Sequence, residues 1–273
     1  MIDIGANLSH RSFEPDLCEV MQSAAQAGII RMIVTGTSLD ENPKALALAK
    51  RYPDWFACTA GVHPHHADEM SASSDWLETL AHHAQAPEVC ALGETGLDYH
   101  RGFASHKNQQ HVFGAQLDLA ESIGKPLFVH ERDTDGALAD MLVARKSRIA
   151  GAVVHCFTGT REDLARYLDA GFMIGVTGWL CDERRGAPLQ ELIPLVPEDR
   201  LMIETDAPYL TPRNMPRPFP HRNEPANLVW IVRKLAELTG RDETEIEHTT
   251  AENARRFFSL GECDTGDVPK RPL

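Results

Sequence analysis

Short apolar, β-branched runs recur along the chain with amphipathic stretches between them, and this alternation predicts repeated strands and crossover helices in a parallel sheet. Eight such runs stand out: Ile2 to Leu8, Arg31 to Gly36, Phe56 to Val62, Val89 to Gly93, Leu127 to Val129, Gly151 to Val154, Phe172 to Val176 and Leu201 to Ile203. They follow one another at roughly 20 to 35 residues, about what one strand, one helix and two loops require. The stretches between, such as Asp16 to Ala27, Asp40 to Arg51, His106 to Ile123 and Glu162 to Ala170, each suit one crossover helix. Gly28, Gly124 and Gly171 fall where a left-handed cap would end a helix before the next strand.

An open doubly wound sheet alternates in the same way. Here no Gly-rich phosphate fingerprint follows the first run, and eight strands match closure into a TIM-like (β/α)8 barrel with its active site at the C-terminal strand ends. Residues 1–260 are therefore expected to form a single α/β barrel domain, and 261–273, with Gly, Asp and Pro and little apolar content, a flexible tail. Pro208 to Pro225 is too long and irregular for a tight turn and reads as a functional loop after the last strand.

Composition narrows the function. At 42% hydrophobic and 25% charged residues, the chain has the balance of a globular protein with a large core. Its net charge of −13 supplies no diffuse field for a polyanion, so any contact with nucleic acid must be local. The six cysteines are scattered without a C-x-x-C pair and read as reduced thiols. Asp3 stands where a signal peptide needs positive charge, and no apolar run approaches the ~20 residues of a membrane span. A cytoplasmic protein without a membrane partner, and a monomer, is the expectation.

The chemistry gathers at predicted strand ends. His63, Glu94, His130, His155 and Asp206 each follow or close a different apolar run, and barrel closure would bring those five ends together. Any one histidine is more often a hydrogen-bonded strand-end residue than a ligand, but five such groups in register reverse that balance. Imidazole nitrogens and carboxylate oxygens together suit a divalent ion, and such a site makes water nucleophilic near neutral pH. Loops after the seventh and eighth runs carry Arg184, Arg185, Arg213, Arg217, His221 and Arg222, a local cationic rim fit for phosphate. Tyr99, Phe103, Trp179, Tyr209 and Phe219 fall in the rim loops, where aromatic rings can stack unpaired bases.

At this point the residues resemble a known family. Gly61 Val62 His63 Pro64 His65, Gly93 Glu94 Thr95 Gly96 Leu97 Asp98, His155 Cys156 Phe157 Thr158 Gly159, Glu204 Thr205 Asp206 Ala207 Pro208 Tyr209 Leu210 and Arg222 Asn223 Glu224 Pro225 together are similar to the TatD family of metal-dependent deoxyribonucleases, within the amidohydrolase-like barrels. Gly178 to Gly186 resembles the family's eponymous subgroup. The resemblance spans essentially the whole chain and implies a metal-dependent 3′-5′ exonuclease acting on single-stranded DNA and RNA. It makes Glu94 a metal-bridging carboxylate, His130 and His155 metal ligands, and Asp206 the ligand and base that handles the attacking water. Magnesium is the expected ion, with manganese and zinc as alternatives.

The family's H-x-H pair at the end of the first strand is replaced here by Gly5 and Asn7. With two ligands missing, the expectation is one ion held by Glu94, His130 and His155, with His63, His65 and Asp206 completing a second site when substrate phosphate arrives. Glu94, Asp206 and His63 are the expected catalytic groups; Arg132, Arg184, Arg185, Arg222 and Tyr99 are the expected contacts to substrate phosphate or base. Two rival readings keep the same residues: a metal-dependent deacylase or amidohydrolase, for example on aminoacyl-tRNA, and a non-catalytic metal-binding accessory protein.

Overall fold

The computed structural model describes residues 1–261. Eight parallel strands form one sheet in sequential order: β1 (Ile2–Ala6), β2 (Arg31–Val34), β3 (Phe56–Ala60), β4 (Val89–Asp98), β5 (Leu127–Arg132), β6 (Ala152–His155), β7 (Met173–Val176) and β8 (Leu201–Ile203). Just beyond β8 the Asp206 amide donates to Gly5 O at 2.8 Å and the Asn7 amide to Ala207 O at 2.7 Å, which closes the sheet against β1. The architecture is the expected (β/α)8 barrel. The expected tail lies outside the described residues apart from Gly261.

Ten helices among the described residues connect and cover the strands. They are α1 (Leu17–Gln26), α2 (Asn42–Arg51), α3 (Ala67–Ser71), α4 (Trp76–Ala84), α5 (His106–Ile123), α6 (Ala137–Val143), α7 (Arg161–Asp169), α8 (Ala187–Leu192), α9 (Leu228–Thr239) and α10 (Glu243–Phe258). Local chemistry sets several ends. Thr160 and Asp163 form a reciprocal capping box at the start of α7. Gly124, at φ +68°, closes α5 in the left-handed conformation, where a side chain would be strained. None of the helices is long and apolar enough to cross a membrane.

Strand alternation divides the apolar residues into two cores. Ile2 and Ile4 of β1 and one side chain from each other strand, Ile33, Ala57, Ala91, Phe128, Val153, Met173 and Met202, point into the barrel, and Ala251, Ala254 and Phe258 of α10 seal the lower end. The opposite faces, with residues such as Val34, Val129, Val154 and Ile174, pack outward against the helices. Burying each large aliphatic or aromatic side chain stabilises the fold by roughly 1.5–3 kcal/mol. The interior is thus filled from below, and only the upper end is left for polar groups.

Two strands run past the point at which their apolar pattern stops. The expected Val89 to Gly93 extends to Asp98, because Thr95 to Asp98 pair with Val129 to Arg132 of β5, itself expected only to Val129. Glu94 and His130 accordingly stand inside strands. A hydrophobic pattern reports burial against apolar neighbours, whereas the backbone ladder continues for as long as a partner is present.

Candidate active site

Above the sealed interior lies a cleft of about 1030 Å³, lined by residues from every quarter of the ring. At its floor Glu94, 6% exposed, offers one carboxylate oxygen, Oε1, to three imidazoles. His155 Nε2 lies 2.9 Å from it, His130 Nδ1 3.0 Å and His63 Nε2 3.4 Å. Burial would raise the Glu94 pKa, but His155 and His63 beside it, with hydrogen bonds from His130 and His155, hold it well below the usual carboxylate range.

The far nitrogens of two of these rings are held by further carboxylates. His130 Nε2 meets Asp98 Oδ2 at 3.1 Å, and His155 Nδ1 meets Glu204 Oε2 at 3.2 Å. Asp98 Oδ2 also meets His65 Nε2 at 2.9 Å, while Glu204 Oε1 accepts the Cys156 amide at 2.6 Å. Burial opposes the charged form of both rings, but the acids prevail: His130 is raised by Asp98 and Glu94, and His155 is raised well above the usual histidine range by Glu204 and Glu94. His63 goes the other way, pushed down to about 4 by burial. Its Nδ1 accepts the His65 amide at 3.2 Å, which leaves the neutral ring's proton on Nε2, facing Glu94.

This donor set fits a divalent ion. A ligating imidazole usually donates its other N–H to a carboxylate, which fixes ring and tautomer. His130 and His155 both have that arrangement, each with one nitrogen toward Glu94 and the other toward an acid. Candidate ligand atoms of His63, Glu94 and His130 lie within 4.8 Å of one another. The nitrogen and oxygen donors suit zinc, manganese or magnesium chemistry without choosing among them.

Asp206 closes the site from the β8 side. Its backbone is left-handed at φ +53°, as is that of Cys156 at +46° after β6. Such conformations in non-glycine residues persist where the surroundings over-determine them, and they cluster at functional sites. Burial pushes the Asp206 carboxyl up to about 7 despite the nearby His155, and Asn7 Nδ2 donates to its Oδ1 at 3.0 Å.

The Gly5 and Asn7 departure has a steric counterpart. A β-carbon on Gly5 would lie 2.5 Å from Glu204 Oε2 and 2.9 Å from Phe128 Cζ, and one on Gly175 would lie 2.6 Å from Glu204 Oε1. The fully buried Glu204 carboxylate therefore occupies the space a histidine at position 5 would need. Asn7 turns its amide to Asp206.

The structure gathers His63, His65, Glu94, His130, His155, Asp206, Arg132 and Arg185 around the cleft. Arg184, Arg222 and Tyr99 stand outside its lining. Arg222 pairs with Asp16 and Glu224 at 2.7 Å each and also donates to Ser12 O, tying the proline-rich loop to the start of α1. Tyr99 stacks on His106 at 3.7 Å and accepts from Gln110, anchoring its own loop. The exposed Arg184 engages Asp182 through its backbone N–H. Sequence reasoning assigned no role to Asp98 and Glu204, although a charged residue within or just past an apolar strand was a usable signal for both. Of the rim aromatics, Tyr209 and Phe103 are the exposed pair, at 52% and 64%.

Comparisons with known proteins match this chain along nearly its whole length. Residues 2–259 match the family described as TatD related DNase. A protein of Erwinia tasmaniensis named 3′-5′ ssDNA/RNA exonuclease TatD is 47% identical over 261 residues, covering 95% of this chain and all of that protein. A protein of the same name from Edwardsiella piscicida is 47% identical over 264 residues, again covering 95% of this chain and all of that protein. Among solved structures, the TatD homologue YJJV of Escherichia coli superposes with a TM-score of 0.86 at 29% identity, covering 96% of this chain and 98% of the other. A TatD family hydrolase of Entamoeba histolytica gives 0.84 at 26% identity, covering 94% and 97%.

Proposed function

This chain belongs to the TatD-related DNase family, and from that premise we propose that it is a metal-dependent phosphodiesterase that removes nucleotides from the 3′ end of single-stranded DNA and RNA. The observation that carries the reading is the convergence of His63, His130 and His155 on a single Glu94 oxygen, at the floor of a cleft that also presents arginines.

Glu94, His130 and His155 would hold the ion, with Asp98 and Glu204 fixing the two rings. When bound, a divalent ion supplies Lewis-acid activation of water and offsets charge on phosphate oxygens. Asp206, with a carboxyl pushed up to about 7, is matched to accepting the proton of the attacking water near neutral pH. His63 faces the same floor as a neutral ring with its proton on Nε2, a hydrogen-bond donor that can offset charge developing on a phosphate oxygen while keeping its proton. His65 is oriented by Asp98 and completes the polar wall on that side. Tyr209 in the cleft lining and Phe103, edge-on to His65 beside it, offer faces to unpaired bases. The expected setting is the cytoplasm, with a monomer using magnesium.

The test is decay of an end-labelled single-stranded oligonucleotide with magnesium, manganese, zinc or chelator. A metal-dependent ladder shortening from the 3′ end, slower on blunt duplex, is the expected result. Chelator-insensitive decay, or none with any ion, would overturn the reading.

A further inference from the structure

One wall of the cleft carries two guanidinium groups on a single indole. Arg132 Cζ lies 5.0 Å from the Trp179 ring centroid and Arg185 Cζ 4.7 Å. The cluster is tied in place. Trp179 Nε1 donates to Arg185 O at 3.1 Å, and Arg132 Nη1 donates to Thr158 Oγ1 at 3.0 Å. All four residues line the cleft. Asp182 Oδ2 lies 3.0 Å from Arg185 Nε, and Asp133 Oδ1 3.8 Å from Arg132 Nε. Among the described residues no terminal nitrogen of either arginine is hydrogen-bonded to an acid.

The register of β5 locates this shelf relative to the catalytic floor. Phe128, His130 and Arg132 alternate onto the same face, so Arg132 stands one two-residue step, roughly 6.6 Å, further out of the barrel than His130. That step is comparable with the spacing of successive phosphates along a nucleic-acid strand, so Arg132 is placed to meet the neighbour of a phosphate held beside His130. Arg185 arrives from the loop after β7 and faces the same indole, giving planar donors already ordered before a ligand arrives. With a net charge of −13, this chain needs such a local cationic device.

We propose that Arg132 and Arg185, ordered on Trp179, bind the phosphate that follows the scissile one on the retained part of the strand. This rests on the exonuclease reading and deepens it. The shelf makes turnover depend on a second phosphate and thereby sets the shortest substrate handled well.

The probes are a dinucleotide with one internal phosphodiester and the same dinucleotide carrying a 5′-phosphate, which adds the second phosphate without adding a base. For the wild type, the 5′-phosphate should raise kcat/KM by about ten-fold or more, on the scale of new charge-assisted hydrogen bonds. In R132A/R185A the ratio between the two substrates should fall to within about two-fold, while R132K/R185K, keeping the charges but not the planar fork, should retain part of the gain. Because the ratio is internal to each preparation, a partly unfolded variant does not distort it. No gain in the wild type, or a gain that survives in R132A/R185A, would overturn the proposal. Absence of turnover on every substrate with every ion would sink the exonuclease reading itself, and this proposal with it.

Discussion

The two ends of this barrel solve opposite problems with the same eight strands. At the lower end Ile4, Ile33, Phe128, Val153, Met173 and Met202 fill the interior and Phe258 of α10 seals it, so stabilisation there comes from apolar packing. At the upper end Glu94, Asp98, Glu204 and Asp206 are buried or nearly so, an arrangement that costs free energy wherever a charge lacks a partner. Three histidines offset that cost for Glu94, whereas for Asp206 burial outweighs His155 and the Asn7 donor and pushes the carboxyl up to about 7. The difference is physical: the lower end stabilises the barrel by apolar packing, and the upper end holds charged groups close together and away from water.

The sharpest way to test this division is at its most concentrated point. Glu94→Gln removes the charge on which three imidazoles converge, and kcat on single-stranded oligonucleotide is expected to fall by about 10⁴-fold. Its thermal midpoint should fall as well, because the neutral group leaves His130 and His155, both raised in part by Glu94, without the charge that offsets them. An unchanged or higher midpoint would mean that the buried carboxylate is a net burden on the folded barrel.

The complementary substitution lies at the other end. Phe258→Ala opens a cavity under the barrel and should cost about 3–5 kcal/mol in denaturant unfolding, with kcat of the folded fraction unchanged. A kcat that fell with stability under strongly native conditions would show the two ends to be coupled.

Asp3 sits between the regions and gives the smallest expected effect. It is fully buried and accepts from the Thr205 amide and hydroxyl and the Gly5 amide, yet burial prevails and pushes its carboxyl up to about 7. Because the folded value exceeds the unfolded one, its contribution is fully present below pH about 4 and is lost as pH rises through about 7. Asp3→Asn stays neutral throughout, so the fall in unfolding free energy between pH 4 and pH 8 should shrink by roughly 2–4 kcal/mol. Parallel pH profiles for wild type and variant would show that Asp3 is ionised in the folded barrel.

Strand order and barrel closure were legible in the sequence, because each strand's apolar pattern is local and its side chains alternate with period two regardless of what lies across the sheet. His63, Glu94, His130, His155 and Asp206 were legible too, since a polar residue at the limit of an apolar run is conspicuous without knowledge of its neighbours. What the tertiary structure alone decided are the pairings. That Asp98 and Glu204 hold the outer nitrogens of His130 and His155 depends on distances across strands 32 and 49 residues apart in the chain. That Glu204 fills the space above Gly5, where a histidine would clash, depends on the closure of β8 against β1. The arginines divided for the same reason. Arg132 and Arg185 meet on Trp179 within the cleft, while Arg222, equally basic and also on a rim loop, pairs with Asp16, 206 residues away. Composition and spacing determine which groups a barrel can bring to its upper rim; whether a charge there faces substrate or a partner of its own is settled only when distant parts of the chain are packed together.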